Sequence, residues 1–217
     1  ENGHVQPGMF CVGGDSHSPS GGAFGAFMVG MGATDITGAL VTGEVWLRVP
    51  QTTRIQIDGQ LADGVSAKDI MLMLCAEHGM GNEGQVSEYG GSAIAALPMH
   101  ERLTLCNMAA ELGAETGIVE PDAITLAALE AAGRPFTGDI AQWRSDADAA
   151  YAAVHRYDAA SITPYVAAPH SPANSRPVAE HAGVRVDQAY IGACTGAKLE
   201  DLRMAARVLA GRKVAKG

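Results

Sequence analysis

The sequence predicts an α/β protein, and three observations indicate that class. Short apolar runs typical of buried strands alternate along the chain with helical patterns. Two of these runs, at residues 9–13 and 186–191, are each followed by a glycine-containing turn and then by a helical pattern. Hydrophobic residues make up 47% of the chain and charged residues 18%, as expected for a globular protein rather than a disordered one.

The first strand, turn and helix carry three adjacent polar residues. A pair of glycines ends the strand, and Asp15, Ser16 and His17 follow at once. Residues 20–44 are then predicted as one long or broken helix. Because ligands in open α/β sheets bind at the carboxyl ends of strands, this turn is a candidate functional site.

A purely structural role is also consistent with these residues. Asp15 or Ser18 suits the N-cap of a helix and Pro19 its first turn, while a histidine here would serve equally as a hydrogen-bonded core residue. The glycine pattern argues against a phosphate-binding loop. The glycines that begin at Gly21 are not followed by Gly-Lys-Ser/Thr and do not have the Gly-x-Gly-x-x-Gly spacing.

The middle of the chain continues the alternation of strands and helices. Residues 53–58 alternate apolar and polar side chains, which predicts a half-buried strand, and Ser66 and Asp69 have the spacing of a capping box. Gly113 is a plausible helix C-cap. Further strands are predicted at residues 45–49, 86–89 and 116–120, and helices at residues 67–78, 97–112, 123–132 and 141–151.

The last part of the chain repeats the strand, turn and helix layout. Four prolines mark residues 160–180 as an extended crossing segment. A strand at residues 186–191 is predicted to lead through a tight turn to a helix at residues 199–209. Cys194 in that turn lies at the amino end of a helix, where the dipole and the free amides favour a thiolate.

Charge and cysteine content restrict the class of protein. The net charge of −9 argues against a nucleic-acid-binding surface. The four cysteines are scattered without a Cys-x-x-Cys pair, which suits a reducing compartment and predicts a cytoplasmic protein. No signal peptide is recognised, and the most apolar window, residues 23–41, is interrupted by Asp35, so no membrane span is expected.

A series of motifs then points to a known family. Gly14-Asp-Ser-His17 is followed by Gly21-Gly-Ala-Phe-Gly-Ala26. Five further motifs follow in order: Val41-Thr-Gly-Glu-Val-Trp-Leu-Arg-Val-Pro50, Val65-Ser-Ala-Lys-Asp-Ile70, Ser87-Glu-Tyr-Gly-Gly-Ser-Ala-Ile94, Leu105-Cys-Asn-Met-Ala-Ala-Glu-Leu-Gly-Ala114, and Ile191-Gly-Ala-Cys-Thr-Gly196 with Glu200-Asp-Leu202. Together they resemble the aconitase superfamily, and within it the large subunits of the 3-isopropylmalate dehydratase and homoaconitase type.

The resemblance implies roles for five residues. Asp15, Ser16 and His17 match the family's active-site Asp-Ser-His, which contacts the substrate carboxylate and hydroxyl and assists the departure of water. Glu88 matches the acidic residue of a Glu-Tyr motif close to the iron-bound water. Cys194 matches the first of three thiolates that hold a [4Fe-4S] cluster, whose fourth iron acts as a Lewis acid.

The resemblance also implies an organisation and an activity. It implies aconitase-like three-layer α/β/α domains: the end of a first domain at residues 1–50, a complete middle domain at 51–157 and the start of a third at 158–217. The implied activity is dehydration and rehydration of a hydroxy di- or tricarboxylic acid. The first expectation is 3-isopropylmalate in leucine biosynthesis, and a homoaconitase or aconitase-type isomerase is the alternative.

Parts of the implied enzyme are expected outside this chain. The swivelling domain is expected on a separate small subunit, and the other two cluster cysteines lie downstream in the family. The chain is therefore expected to be an internal portion that is inactive alone. It also has Cys194-Thr-Gly-Ala197 where the family usually has Cys-Thr-Asn-Ser. A non-catalytic remnant that binds a partner or an organic acid is the competing hypothesis.

Overall fold

The amino-terminal part forms a small parallel sheet around a short helix. The computed structural model describes residues 2–214. Strand β1 (Phe10–Gly13) pairs in parallel with β2 (Phe27–Gly30), and a 3₁₀ helix, Ser18–Phe24, connects them. Helix α1 (Ala33–Thr42) follows β2. The carboxyl end of β1 therefore opens directly into the Asp15–His17 turn.

Two predictions for this part are wrong. The long or broken helix expected over residues 20–44 is interrupted by strand β2, because Gly25, at φ 73°, ends the 3₁₀ helix and the apolar residues after it pair with β1. The strand expected at residues 45–49 is irregular and exposed, with Trp46 86% exposed. An apolar run becomes a strand only where a neighbouring strand accepts its hydrogen bonds.

The middle part is a four-stranded sheet with helices between its strands. Its strands run in parallel in the order β5-β4-β3-β6. The elements in chain order are β3 (Gln51–Asp58), α2 (Ala67–His78), β4 (Gln85–Gly90), α3 (Ser92–Ala96), α4 (Met99–Asn107), β5 (Thr116–Val119), α5 (Ala123–Ala131) and β6 (Ala153–Asp158). This arrangement confirms the α/β class with a parallel sheet.

Local sequence signals set the ends of these helices. The predicted capping box forms at the start of α2, where Asp69 accepts a hydrogen bond from the backbone N–H of Ser66 at 2.8 Å. The helical stretch predicted at residues 97–112 consists of α4 and a 3₁₀ turn, Met108–Leu112. Gly113 ends it at φ 76°, as expected for a left-handed C-cap.

The two faces of the sheet differ in character. Ile55 on β3 lies beside Tyr89 on β4, and both belong to the apolar core that α2 and α4 cover. Arg54 and Glu88, one residue earlier on each strand, are also neighbours. Since side chains alternate along a strand, this ionic pair lies on the opposite face.

The segment that follows α5 covers part of the ionic face. A helix was expected at residues 141–151, but only a 3₁₀ turn, Ile140–Trp143, forms. Ser145 and Tyr151 both donate hydrogen bonds to Glu88. The segment therefore lies across the sheet in an irregular conformation, and the tertiary contacts override its alanine-rich helical pattern.

The carboxyl-terminal part is mostly irregular until its last helices. Strands β7 (Tyr165–Ala167) and β8 (Ser175–Pro177) form a short antiparallel pair. The strand predicted at residues 186–191 is absent, and Tyr190 is 83% exposed there. Helices α6 (Ala193–Gly196) and α7 (Leu199–Leu209) follow. Over residues 2–214, no helix has the length and apolarity needed to cross a membrane.

Candidate functional site

The Asp15–His17 turn lies at the carboxyl end of β1, as predicted. The backbone N–H of His17 donates a hydrogen bond of 2.8 Å to Asp15 Oδ1, which fixes the turn locally. The Asp15 side chain is 74% exposed, whereas that of His17 is 26% exposed. Asp15 therefore keeps acceptor capacity for a ligand, and the imidazole is held partly inside the protein.

The ring of His17 lies between a hydroxyl and a carboxylate. Ser16 Oγ is 3.3 Å from His17 Nδ1, and Glu111 Oε1 is 3.3 Å from His17 Nε2. An ionised Glu111 favours the tautomer in which Nε2–H donates a hydrogen bond to it, which leaves Nδ1 unprotonated and able to accept a hydrogen bond from the Ser16 hydroxyl. The three side chains thus form a continuous path along which a proton can move.

Sequence reasoning did not single out Glu111. Glu111 lies in the motif that begins at Leu105, so the family resemblance covered this position without assigning it a role. Its role follows from the position of the Met108–Leu112 turn, which brings Glu111 under the histidine ring. Nothing in the local pattern of residues 105–114 predicts that contact.

Close backbone packing sets the position of the turn. A Cβ atom on Gly22, in the 3₁₀ helix, would overlap the carbonyl oxygen of Gly117 on β5. The absence of a side chain on Gly22 therefore allows the 3₁₀ helix to lie directly on β5. Thr116 Oγ1 adds a hydrogen bond of 2.7 Å to the carbonyl of Met28 on β2. These contacts join the amino-terminal sheet to the middle sheet.

Helix α4 links this turn to the Cys194 turn through a single side chain. Ser20 Oγ donates to the carbonyl of His17 at 2.7 Å, and Asn107 Nδ2 donates to Ser20 Oγ at 2.9 Å. The Oδ1 atom of the same asparagine accepts a hydrogen bond of 2.7 Å from Thr195 Oγ1. Asn107, which sequence reasoning also missed as a site residue, therefore connects the two turns.

The thiol of Cys194 is accessible. Cys194 is exposed, whereas Cys75 and Cys106 are buried in the core. Burial raises the pKa of Cys75 to about 12 and raises that of Cys106 further still. These two residues are thus inert core thiols, because only a thiolate binds metal or reacts as a nucleophile.

Cys194 supplies one potential metal ligand. Within the part of the chain that the structure describes, no three or more His, Cys, Asp or Glu side chains are grouped so as to hold a metal ion. An exposed thiol on a short turn is a suitable donor for iron. This single thiol would fit one position of an iron–sulfur site.

Glu88 lies in a different environment. It is buried and forms an ion pair with Arg54, and it accepts hydrogen bonds from Ser145 Oγ at 2.9 Å and Tyr151 Oη at 3.2 Å. Burial alone would lower the pKa of Arg54, but Glu88 and Glu120 outweigh that effect and raise it. No hydrogen bond or ion pair among residues 2–214 joins Glu88 to the His17 or Cys194 turn.

Comparison with known proteins gives consistent matches. A family model described as "Aconitase family (aconitate hydratase)" matches residues 1–184. The 3-isopropylmalate dehydratase large subunit of Heliobacterium modesticaldum is 44% identical over 218 residues, which cover 100% of this chain and 51% of that protein.

Two archaeal proteins match at the same level. The 3-isopropylmalate dehydratase large subunit 1 of Archaeoglobus fulgidus is 45% identical over 98% of this chain and 50% of its own length. A probable methanogen homoaconitase large subunit of Methanosarcina mazei is 46% identical, over 99% of this chain and 54% of its own length. The chain thus spans about half the length of these curated relatives.

Proposed function

We propose that this chain, which belongs to the aconitase family, forms part of the large subunit of a hydro-lyase that removes water from a hydroxy acid and adds it back at the neighbouring carbon. The observation that carries the proposal is the side-chain path from Ser16 through His17 to Glu111. It lies at the carboxyl end of a strand and beside an exposed carboxylate, that of Asp15.

The chemistry of dehydration explains why such a path is useful. A hydroxyl group leaves a carbon readily only when a proton reaches its oxygen in the transition state. In the hydration direction, the entering water gives a proton to Ser16 while the Ser16 hydroxyl proton passes to Nδ1, so His17 becomes an imidazolium whose Nε2–H stays hydrogen-bonded to Glu111. In the dehydration direction, the imidazolium returns that proton through Ser16 to the departing hydroxyl, which leaves as water. We assign the proton transfer at the departing or entering water to Ser16 and His17, and the orientation of the ring to Glu111.

Asp15 has a separate role in this proposal. Its carboxylate fixes the turn through the His17 amide and is otherwise exposed. An ionised aspartate accepts hydrogen bonds and cannot donate them. We therefore assign it to the substrate's hydroxyl side, where a donor is available. The substrate carboxylates would need cationic residues, which the turn itself does not carry.

The iron–sulfur cluster is proposed for the complete protein. Cys194 would supply one thiolate, and the remaining ligands would come from elsewhere in the complete protein. When bound, such a cluster supplies a Lewis-acidic iron that polarises the substrate's hydroxyl. The contribution of this chain is to hold the Cys194 turn on α4, through Asn107, at a fixed position relative to His17.

The printed names of the relatives guide the proposed substrate. Two are named 3-isopropylmalate dehydratases and one is named a probable methanogen homoaconitase. We propose 3-isopropylmalate, and hence a step of leucine biosynthesis, with a homoaconitase-type hydroxy tricarboxylic acid as the alternative. Because the relatives are named as large subunits, we propose a small subunit as partner, carrying the swivelling domain.

A reconstitution experiment tests this function. The complete protein, with its small subunit and iron supplied anaerobically, is assayed with 3-isopropylmalate, homocitrate and citrate by following the absorbance of the unsaturated intermediate acid. We expect turnover of 3-isopropylmalate and its loss in a His17→Asn variant. Turnover of homocitrate alone would instead favour the alternative substrate. No turnover of any of the three by an iron-loaded complex would overturn the hydro-lyase proposal and favour a non-catalytic binding protein.

A further inference from the structure

Lys198 occupies a central position beside the Cys194 turn. Its side chain is only 11% exposed, although lysine is normally a surface residue. The Nζ atom lies 2.6 Å from the carbonyl oxygen of Thr195, 2.9 Å from Thr104 Oγ1 and 2.9 Å from Asp201 Oδ2. An ammonium group has three protons to donate, so these contacts use its full capacity.

The three acceptors belong to three different elements. Thr195 is in the Cys194 turn, Thr104 is on α4, and Asp201 is in the first turn of α7. Asp201 also accepts a hydrogen bond of 3.0 Å from the backbone N–H of Lys198. The ammonium group thus joins the turn to α4, which lies beside it, and to α7, which follows it in the sequence.

The turn itself has few other means of support. Ala193, the residue before Cys194, has φ 68°, which makes it the one non-glycine residue with positive φ in the described chain. This conformation is costly for a residue with a Cβ atom and persists only where the surroundings impose it. Gly196 contributes no side chain, and a Cβ built there would meet nothing within 4 Å. Two other side-chain contacts anchor the turn at Thr195: its Oγ1 donates to Asn107 Oδ1 at 2.7 Å, and Thr104 Oγ1 donates to its carbonyl oxygen at 3.3 Å.

We propose that Lys198 is a positioning residue: its ammonium group fixes the backbone of residues 193–196 against α4 and thereby sets the direction of the Cys194 thiol. The inference rests on the proposed function in one respect: a thiol needs a fixed direction because a cluster ligand must be held in place. The hydrogen bonds themselves are independent of that function.

Hydrogen–deuterium exchange in the complete protein tests the proposal. Lys198→Met removes the ammonium group and keeps the length of the side chain. We expect the amides of residues 193–197 to exchange about tenfold faster, as for the loss of a charged hydrogen bond, while those of α2 are unchanged. Lys198→Arg keeps a cationic donor and is expected to restore most of the protection, which loss of packing alone would not explain.

Further variants complete the test. Lys68→Met serves as the matched control, because Lys68 is an exposed lysine that lines a small cavity with Thr104 and Thr195 and makes none of these bonds. Thr104→Val removes the acceptor of Lys198 on α4 together with the 3.3 Å hydrogen bond from Thr104 Oγ1 to the Thr195 carbonyl, and is expected to accelerate exchange in the same segment. If Lys198→Met is unstable, Lys198→Gln, which removes the charge but keeps a polar side chain, gives the same comparison with Lys198→Arg.

Alkylation gives an independent measurement. After chelation of iron, Cys194 is expected to react faster with iodoacetamide in Lys198→Met than in the wild-type protein or in Lys68→Met. Equal exchange and equal alkylation in all three would overturn the positioning role. Neither measurement depends on turnover, so the failure of the hydro-lyase proposal in the activity assay would be recognised separately.

Discussion

Glu111 Oε1 lies 3.3 Å from His17 Nε2, although 94 positions separate the two residues in the sequence. The other carboxylate oxygen, Oε2, is buried and has no hydrogen-bond partner among residues 2–214. Because its second oxygen is buried without a partner, this partly exposed carboxylate depends strongly on the bond that Oε1 makes. The histidine ring and the carboxylate therefore fix each other's orientation, and this relationship gives the first prediction.

Replacing Glu111 by glutamine should impair the proposed dehydratase reaction. The amide keeps the shape of the side chain but not its charge, so the preferred tautomer of His17 is no longer imposed. We expect kcat to fall by about 10²- to 10³-fold, within the range that a general acid–base group contributes, because His17 loses the partner that orients it. The measurement is steady-state turnover of the complete protein. Glu83→Gln, at an exposed loop position, is the control that should leave kcat unchanged.

The same assay decides between two glutamates. The family resemblance assigns an active-site role to Glu88, which stays a prediction, while the geometry favours Glu111 as the partner of His17. We expect Glu88→Gln to reduce stability, because it leaves Arg54 less well paired, and to change kcat less than Glu111→Gln does. A larger loss of kcat in Glu88→Gln than in Glu111→Gln, at equal stability, would reverse the assignment.

A methyl group added at Gly22 should disturb the Asp15–His17 turn through the 3₁₀ helix that follows it. In Gly22→Ala the new Cβ would overlap the Gly117 carbonyl, so the 3₁₀ helix must move away from β5. We expect the free energy of unfolding in urea to fall by about 1–3 kcal/mol, typical of overpacking. Gly38→Ala is the control, since its Cβ meets nothing within 4 Å. It lies within α1 and should be neutral or slightly stabilising.

Removing Asp122 should destabilise the middle sheet. Arg102 is fully buried and donates to both oxygens of Asp122 at 2.8 Å and 2.7 Å. Asp122→Ala leaves this guanidinium without its counter-ion and removes the N-cap of α5. We expect a loss of about 3–5 kcal/mol in the free energy of unfolding, against a negligible change for the exposed Asp146→Ala. Equal unfolding midpoints for the two variants would contradict this account.

Stability should also decrease in mildly acidic solution because of His78. Burial is the main cause that lowers its pKa, and the nearby His155 ring, 4.4 Å away between centroids, adds to the effect. Unfolding then takes up a proton at any pH below the ordinary histidine pKa of about 6.5 and above the lowered value. The contribution of the neutral His78 to stability is therefore fully present above that ordinary pKa and is lost as the pH falls through this window.

A pH series with His78→Gln measures this contribution. The wild-type midpoint in urea should fall as the pH is lowered below the ordinary histidine pKa of about 6.5, and the variant's midpoint should fall less over the same interval. The substitution also removes the 2.8 Å contact between His78 Nε2 and Tyr157 Oη, so the variant is compared with itself across pH rather than with the wild type at one pH. Parallel curves for the two proteins would exclude His78 as the source.

Local signals predicted the elements whose causes are local. The capping box at Ser66, the alternation at residues 53–58 and the C-cap at Gly113 were each confirmed, because a few adjacent residues determine them. The predictions at residues 45–49 and 186–191 were wrong. Both are apolar runs, and whether such a run forms a strand depends on a partner strand that is remote in sequence.

In the candidate site, too, local features were predictable and contacts between distant residues were not. The position of Asp15, Ser16 and His17 at the end of a strand was predictable from the apolar run and the glycines before them. The involvement of Glu111 and Asn107 was not, because it depends on how the end of α4 lies against the 3₁₀ helix. The close approach of Gly22 to the Gly117 carbonyl on β5, which is remote in sequence, contributes to that geometry.

The separations along the chain have a consequence for biosynthesis. The bond from His17 to Glu111 spans 94 positions, and that from Thr195 to Asn107 spans 88. Such long loops must close before the contacts form, which slows folding. On a ribosome that adds about 5–20 residues per second, the first turn is made about 5–20 s before its glutamate partner exists. During that interval the nascent turn has only local contacts, and chaperone protection is most useful there.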